Sequence, residues 1–158
     1  MTFETDLYFV KSVLKKEIMT DIEKIIDEQI ESYYKLAQTQ NIPVWLTLRQ
    51  RLSWNLYRLT AIYENELKDY AQAKINNKSK YLRSYLSKKA EKIQDRQITN
   101  ALADIYAKDE SLTEVTQEIF AEARREALKM KIDAVKEILS AISQIIANLR
   151  SEQDTTNK

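Results

Sequence analysis

The sequence predicts an all-α fold, in which long antiparallel helices form an elongated bundle that ends in one long C-terminal helix. Three observations lead to this fold class. The 158 residues include no glycine and one proline, so the residues that tight β-hairpin turns need are almost absent. Apolar residues recur every three or four positions rather than at every second position. Hydrophobic residues make up 44% of the chain and charged residues 31%, a balance that provides both a core and a charged surface.

One folded domain is expected over residues 1–150, because each half of a divided chain of this length would be close to the size at which a core becomes marginal. Within this domain, a helical hairpin is expected over residues 3–75, a basic segment over 76–100 and a C-terminal helix over 111–150. Residues 151–158 are polar and are expected to form a disordered tail.

An apolar stripe marks the first helical segment, in the order Leu7, Val10, Leu14, Ile18, Ile22, Ile25 or Ile26, Ile30, Tyr33 and Ala37. The spacing of Thr20 and Glu23 is that of a capping box, which indicates a break in the helix near Thr20. The segment ends where Asn41 can adopt the left-handed conformation of a helix C-cap and Pro43 suits the first turn of the next helix. This is the clearest helix boundary in the chain.

The second segment carries a near-heptad stripe, formed by Trp45, Leu48, Leu52, Leu56, Leu59, Ile62 or Tyr63, Leu67 and Tyr70. A stripe of this period favours packing against a long antiparallel partner helix. From Ile75 to Ser79 the residues combine low helix propensity with polar character, which predicts a bend there.

The last helix is predicted from the capping-box spacing of Ser111 and Glu114. From Leu112 to Arg150 it would be about 58 Å long at about 1.5 Å per residue. Its apolar face is wide near the C-terminus, where it comprises Ile132, Val135, Ile138, Leu139, Ile142, Ile145, Ile146 and Leu149. We interpret this face as a contact between copies of the chain, which makes the helix an oligomerisation helix; the alternative is that it forms the core of the chain's own bundle.

The missing residue types exclude many kinds of active site. Without glycine there is no phosphate-binding loop and no dinucleotide fingerprint, because both need backbone that approaches phosphate closely. Without cysteine or histidine there is no thiolate nucleophile, no imidazole base and no zinc finger. No enzymatic activity, cofactor or metal site is therefore expected. No stretch approaches the roughly 18 uninterrupted apolar residues of a membrane span, so no membrane partner is expected either.

A basic belt occupies the middle of the chain, although the net charge is only +1. Between residues 68 and 96 there are nine cations and three anions, a local charge of +6. Cations of this kind interleaved with tyrosines bind phosphates and stack on bases, which is how proteins hold a single strand without sequence preference. The candidate DNA-binding residues are Lys74, Lys78, Lys80, Tyr81, Arg83, Tyr85, Lys88, Lys89 and Lys92. The alternative is an ordinary solvated helix face whose aromatic rings belong to the core.

A smaller aromatic cluster precedes the belt. Arg51, Trp54 and Arg58 share one helical face, with Tyr57 beside them. We interpret Trp45 and Trp54 as anchors of a core or an interface, with a nucleic-acid platform as the alternative.

From Trp54 to Arg150, the order of features resembles the phage recombination-mediator family typified by UvsY. The resemblance runs through an aromatic-aliphatic patch (WNLYRLTAIYENEL), a basic segment (KSKYLRSYL), a joint (ALADIYAKD) and a long C-terminal helix (AEARREALKMKIDAVKEILSAISQIIANLR). It implies that Lys80, Tyr81, Arg83 and Tyr85 contact single-stranded DNA. It also implies that the stripe from Ile132 to Leu149 builds a ring-like homo-oligomer.

The expected function is that of a non-catalytic recombination mediator, which binds single-stranded DNA as a homo-oligomer. It would help to load a recombinase onto strand coated by a single-strand-binding protein, in the cytoplasm, or in the host cell's cytoplasm if a phage encodes it. Linked copies would bind more tightly than one, since the second contact becomes intramolecular. The alternative from another class is a helical scaffold, chaperone or regulatory coiled-coil protein that acts through protein contacts.

Overall fold

The computed structural model describes residues 21–93 and 96–156. These residues form four α-helices, namely α1 (Asp21–Lys35), α2 (Ile42–Ala90), α3 (Asn100–Glu110) and α4 (Leu112–Thr156). Two strands of two residues each, β1 (Lys92–Ile93) and β2 (Arg96–Gln97), pair antiparallel between α2 and α3. The predicted all-α class with long helices in mutual contact is confirmed. The part of the first predicted helical segment that precedes Asp21 lies outside the described residues.

The chain divides into two compact units, and the expectation of one folded domain over residues 1–150 stays a prediction. The first unit combines the chain up to Ile62 with the chain from Leu128 onward, and it contains α1 and the ends of the two long helices. The second unit, Tyr63–Ala127, contains the remainder of α2 and α4 together with the strands and α3.

The connection between α1 and α2 lies at the predicted boundary. The backbone carbonyl of Asn41 accepts the first bonds of α2, from the amides of Val44 (3.1 Å) and Trp45 (3.4 Å). Asn41 therefore begins α2 and is not the C-cap of the first helix, which already ends at Lys35. The indole Nε1 of Trp45 donates to the carbonyl of Thr39 at 2.8 Å, which ties the connection to the core because the Trp45 ring is fully buried.

The core of the first unit consists of aliphatic residues and one tryptophan from all three of its helical segments. Its buried apolar members among the described residues are Ile22, Ile26, Trp45, Leu48, Leu52, Leu59, Leu128, Ile132, Val135, Ile138, Ile142 and Ile146. The residues from α2 keep the heptad spacing that the sequence shows, with Asn55 at one position of the stripe. Asn55 is buried, and its Nδ2 donates to Gln29 Oε1 at 3.2 Å, so this polar group in the core has a partner.

The apolar face that was predicted to join copies of the chain lies largely inside this core. Five of its eight residues are buried within the chain's own fold: Ile132, Val135, Ile138, Ile142 and Ile146. The other three, Leu139, Ile145 and Leu149, are half-buried. For these five residues, burial favours the alternative interpretation, in which they form the core of the chain's own bundle. They lie on the side of α4 that faces the apolar residues of its own unit.

The predicted bend between Ile75 and Ser79 is wrong, since α2 continues without interruption from Ile42 to Ala90. Side-chain contacts compensate for the low helix propensity of the asparagines. Asn77 Nδ2 donates to Glu118 Oε2 on α4 at 2.6 Å, and Gln72 Nε2 donates to Asn76 Oδ1 one turn away at 2.8 Å. The basic segment is thus mostly the C-terminal part of a long helix.

The second unit has a core of small side chains. Its buried residues among those described are Ser84, Ile98, Ala103, Ala107 and Ser111. Thr99 caps α3, because its Oγ1 accepts from the amide of Leu102 at 3.3 Å. Ser111 connects α3 to α4: its amide donates to Ala107 and its carbonyl accepts from Val115. Alanine and serine at these positions allow the helices to approach each other closely.

The C-terminal helix extends past its expected end at Arg150 as far as Thr156. Residues 151–155, which were expected to be disordered, are therefore helical, although all five are exposed. No glycine or proline interrupts this segment, and Thr155 Oγ1 donates to the Ser151 carbonyl at 2.7 Å. Within the described part of the chain, none of the helices is long and apolar enough to cross a membrane.

Candidate nucleic-acid interface

The predicted basic belt lies almost entirely on the part of α2 that belongs to the second unit. Between residues 70 and 90 this helix carries six cations and no acidic residue, a local charge of +6 in 21 residues. The cations are Lys74, Lys78, Lys80, Arg83, Lys88 and Lys89. Because α2 is continuous here and has about 3.6 residues per turn, these cations lie around the helix rather than along one line.

Four of these residues, which we call the outer cations, have exposed side chains: Lys74, Lys78, Lys80 and Arg83. The Nζ of Lys74 lies 5.8 Å from the centroid of the Tyr70 ring. Lys78, Lys80 and Arg83 have no hydrogen bond or ion pair with any described residue. Their charges are therefore available to an anionic partner without loss of a contact inside the unit.

Lys88 and Lys89 are half-buried and take part in the fold. Lys88 Nζ lies 3.1 Å from Glu91 Oε1 and 3.9 Å from Glu110 Oε1. The hydrogen bond to Glu91 is the main cause of a raised pKa at Lys88. Lys89 Nζ donates to the carbonyl of Ile98 at 3.0 Å. Both were predicted to contact DNA, which stays a prediction, and both have partners within the chain. The side chain of Lys92, also predicted, lies outside the described residues.

The two tyrosines of the belt are brought together. The rings of Tyr81 and Tyr85 stack with centroids 6.3 Å apart and an angle of 20° between their planes. Both are half-buried, and Tyr81 Oη donates to Asp104 Oδ1 on α3 at 2.6 Å. This hydrogen bond raises the pKa of Tyr81. The pKa of Asp104 is lowered, first by its bond to Lys108, at 2.7 Å, and then by Tyr81. The pair is thus part of the fold as well as a candidate stacking surface.

The acidic residues that approach this part of α2 do so at its packed side. Asp104 contacts Tyr81, Glu118 contacts Asn77 and Glu110 lies near Lys88. None of these three carboxylates forms an ion pair with an outer cation. The packed side of α2 therefore combines opposite charges, whereas its outer side carries unpaired positive charge.

Exposed apolar side chains accompany the outer cations. Ile75 is 60% exposed, Leu82 45% and Leu86 65%. Their separations of seven and four residues place them on one helical face, a signal that was present in the sequence. The outer side of this helix segment is thus both cationic and apolar.

The two tryptophans occupy opposite environments. The prediction for Trp45 is confirmed, since its ring is fully buried. Trp54 is 63% exposed and Tyr57 71%, so Trp54 is not a core anchor, while its roles as an interface anchor or a nucleic-acid platform stay predictions. The apolar stripe of α2 turns Trp45, Leu48 and Leu52 inward, and Trp54 falls on the other side of the same helix.

No protein-family model, curated protein or solved structure matches this chain. Among residues 21–93 and 96–156 there is no cluster of three or more acidic side chains that could hold a metal ion. We take the outer cations and their surroundings as the candidate functional site because they combine exposed positive charge with exposed apolar side chains.

Proposed function

We propose that the protein is a non-catalytic recombination mediator that binds single-stranded DNA through the outer cations of α2. It would act as a homo-oligomer and help to load a recombinase onto strand coated by a single-strand-binding protein, in the cytoplasm of the cell or of a phage host. The observation that carries the proposal is the segment of 21 residues with six cations and no acid, of which Lys78, Lys80 and Arg83 have no partner among the described residues. The resemblance to the recombination-mediator family supports the biological role.

The physical basis of binding is the release of counterions from the phosphate backbone. Each cation that neutralises a phosphate of a single strand contributes about 0.7 to the slope of log affinity against log salt concentration. One chain with four such contacts binds weakly at physiological salt, and several linked chains bind more tightly through their effective concentration. Stacking of bases on Tyr81 and Tyr85 would add affinity without sequence preference.

The test is a salt titration of binding to a fluorescently labelled oligothymidylate, followed by anisotropy. The triple variant Lys78→Ala, Lys80→Ala, Arg83→Ala should bind more weakly, and its slope should be smaller by about 2, because three phosphate contacts are lost. A matched control removes two lysines and one arginine from exposed positions of α4, as Lys129→Ala, Lys136→Ala, Arg150→Ala. The control has the same net charge as the variant.

If both triple variants lower the slope equally, net charge and not the belt governs binding, and the proposed site is wrong. If the unaltered protein fails to bind the oligonucleotide at moderate salt, the proposed function is wrong. Circular dichroism of each variant shows whether helicity is retained, which is expected because all six side chains are exposed.

Self-association is the second half of the proposal. Leu139, Ile145 and Leu149 are the residues of the predicted oligomer face that remain partly exposed, and they lie four to six residues apart on α4. Light scattering should give a mass that is a multiple of the 18.6 kDa chain. The variant Leu139→Gln, Leu149→Gln should lower that mass, and a purely monomeric unaltered protein would contradict this half of the proposal.

A second candidate is a helical scaffold, chaperone or regulatory coiled-coil protein that binds another protein. The exposed apolar residues Ile75, Leu82 and Leu86 favour it, because a row of this kind on a helix is a suitable docking surface. Under this alternative, Leu82→Gln with Leu86→Gln would abolish partner binding, and the oligonucleotide would not compete for the same surface.

A further inference from the structure

A second aromatic and basic surface lies in the first unit, on the part of α2 that precedes the belt. The rings of Trp54 and Tyr57 stack with centroids 6.2 Å apart and an angle of 29° between their planes. They are three residues apart and therefore share one helical face. With 63% and 71% of their surfaces exposed, these two rings form an open stacked pair.

Two arginines flank this pair. Arg51 precedes Trp54 by three residues and Arg58 follows it by four, so the guanidinium groups start from backbone positions about 10 Å apart along the helix axis. Both side chains are exposed and have no hydrogen bond or ion pair with a described residue. We name Arg51, Trp54, Tyr57 and Arg58 together the arginine–tryptophan platform.

The charge around the platform is positive. From Ile42 to Tyr63, α2 contains three arginines and no acidic residue. Two acids of α1 are engaged elsewhere, since Asp27 pairs with Lys131 at 2.8 Å and Glu31 with Lys35 at 3.2 Å. Arg51 borders a groove of about 320 Å³ that is also lined by Gln29 and Ser32 of α1 and by Leu36, which follows α1, and none of its lining residues is acidic. No carboxylate in the described part of this unit neutralises the platform arginines.

We propose that the arginine–tryptophan platform is a second binding site for single-stranded nucleic acid, in addition to the outer cations. Exposed rings that stack on one another can extend the stack to unpaired bases, which provides affinity without sequence preference. Arginine on both sides supplies planar donors for phosphate oxygens. The inference rests on the proposed function, and it adds a site that is independent of the belt because it lies in the other unit.

Intrinsic fluorescence tests this site directly, because the chain contains only two tryptophans. Trp54 is exposed, whereas Trp45 is buried and bonded through its indole to Thr39. Unlabelled oligothymidylate should quench the emission of the unaltered protein as bases stack on Trp54. In Trp54→Phe, where Trp45 is the only tryptophan left, the same titration with selective excitation of tryptophan should leave the emission unchanged, while anisotropy with labelled oligothymidylate still reports binding.

Two sets of variants measure the contribution of the platform to affinity. Trp54→Leu with Tyr57→Leu should weaken oligothymidylate binding by about 5-fold or more, the effect of losing base–aromatic stacking. Tyr34→Leu is the matched control, since this tyrosine is also largely exposed (68%) but lies on α1 outside the platform. Arg51→Ala with Arg58→Ala should reduce the salt slope by about 1.4, for two lost phosphate contacts. Lys24→Ala with Lys35→Ala, which removes two exposed lysines paired with acids, should leave the slope unchanged.

The outcomes separate this inference from the proposed function. If oligothymidylate binds and its affinity depends on Lys78, Lys80 and Arg83, but Trp54 emission is constant and the platform variants behave like their controls, the platform inference is overturned and the proposed function stands. If quenching and the platform variants show the expected effects while the belt variants do not, the platform is supported and the belt is wrong. Absence of any oligothymidylate binding by the unaltered protein overturns both.

Discussion

The two units use the same long helices in different ways. In the first unit, twelve of the described apolar residues are buried, most of them large, and they follow heptad spacing on α2 and α4. In the second unit, the buried residues among those described are one isoleucine, two alanines and two serines, and polar contacts join its helices. These include Tyr81 with Asp104 and an ion pair between Arg124 and Glu66 at 3.4 Å.

This difference shows that different parts of the same long helices can provide either a buried apolar core or an exposed charged surface. Burial of large aliphatic side chains contributes stability in proportion to the apolar area removed from water, so the first unit has the greater source of stability. Hydrogen bonds and partly exposed ion pairs contribute less per contact. The second unit presents unpaired cations and apolar side chains on its outer side, whereas the first unit contains most of the buried apolar residues and also exposes its arginine–tryptophan platform.

The largest expected effect is a cavity in the first unit. Ile142→Ala should lower the free energy of unfolding by about 2–5 kcal/mol, because Ile142 is fully buried and its truncation leaves a void. Ile75→Ala in the second unit is the matched control, at 60% exposure, and should change stability by no more than about 0.5 kcal/mol. Chemical denaturation measures both.

The same experiment also distinguishes core from oligomer contact for Ile142. If its loss acts through the chain's own core, the change in unfolding free energy is independent of protein concentration, whereas a contact between copies would make it concentration-dependent. Equal effects of the two substitutions would contradict the contrast between the units.

A smaller effect is expected from overpacking the second unit. Ala107 is fully buried on α3, so Ala107→Leu should destabilise the protein by about 1–3 kcal/mol, as added methyl groups force the helices apart. Ala101→Leu, at an exposed position of the same helix, should stay within about 0.5 kcal/mol of the unaltered protein. Thermal unfolding compares the pair, and tolerance of leucine at position 107 would show that this core is loosely packed.

The smallest effect concerns pH. Because the pKa of Asp104 is lowered, the contribution of its ionised form to stability is complete above the ordinary carboxyl range, about pH 4, and is lost as pH falls through the lowered pKa. Because the pKa of Tyr81 is raised, the contribution of its neutral phenol is complete below about pH 10 and is lost as pH rises through the raised pKa.

Tyr81→Phe should therefore raise the pKa of Asp104 towards its ordinary value, as measured by carboxyl-carbon NMR titration. Tyr85→Phe, which keeps the stacked ring and leaves the bond between Tyr81 and Asp104 in place, is the control and should leave that pKa lowered. If the pKa of Asp104 in Tyr81→Phe were as low as in the unaltered protein, Lys108 and not Tyr81 would be the cause of the lowered pKa.

Much of the fold was predictable because it follows from local patterns. The heptad spacing of Trp45, Leu48 and Leu52 identified the buried side of α2, and the boundary before Pro43 lies where the turn residues place it. The uninterrupted course of α2 through Asn77 was not predictable in the same way. Helix propensity is a weak local preference, and the hydrogen bond from Asn77 to Glu118, 41 residues away, outweighs it.

The candidate site was predictable in part. Its concentration of cations was visible in the sequence, as was the interleaving of Tyr81 and Tyr85. The division between the outer cations and the cations engaged in the fold was not visible in the sequence. Lys89, for example, donates to the backbone carbonyl of Ile98, and every residue type at position 98 has such a carbonyl. The sequence left the exposure of Trp54 open between core and surface, since a large aromatic ring is usually buried and only its position relative to the heptad stripe indicated otherwise.

The sequence by itself determined the all-α class, the heptad faces of the long helices and the placement of positive charge along α2. These depend on residue type and on the 3.6-residue period, which are local properties. Only the tertiary structure decided what covers each face: it places Ile142 inside the chain's own core, gives Lys88 an acidic partner on α3 and leaves Trp54 and Arg83 exposed. The physical reason is that periodicity defines a face of a helix, whereas burial depends on contacts with residues distant in the chain, such as Asp27 with Lys131, 104 positions apart.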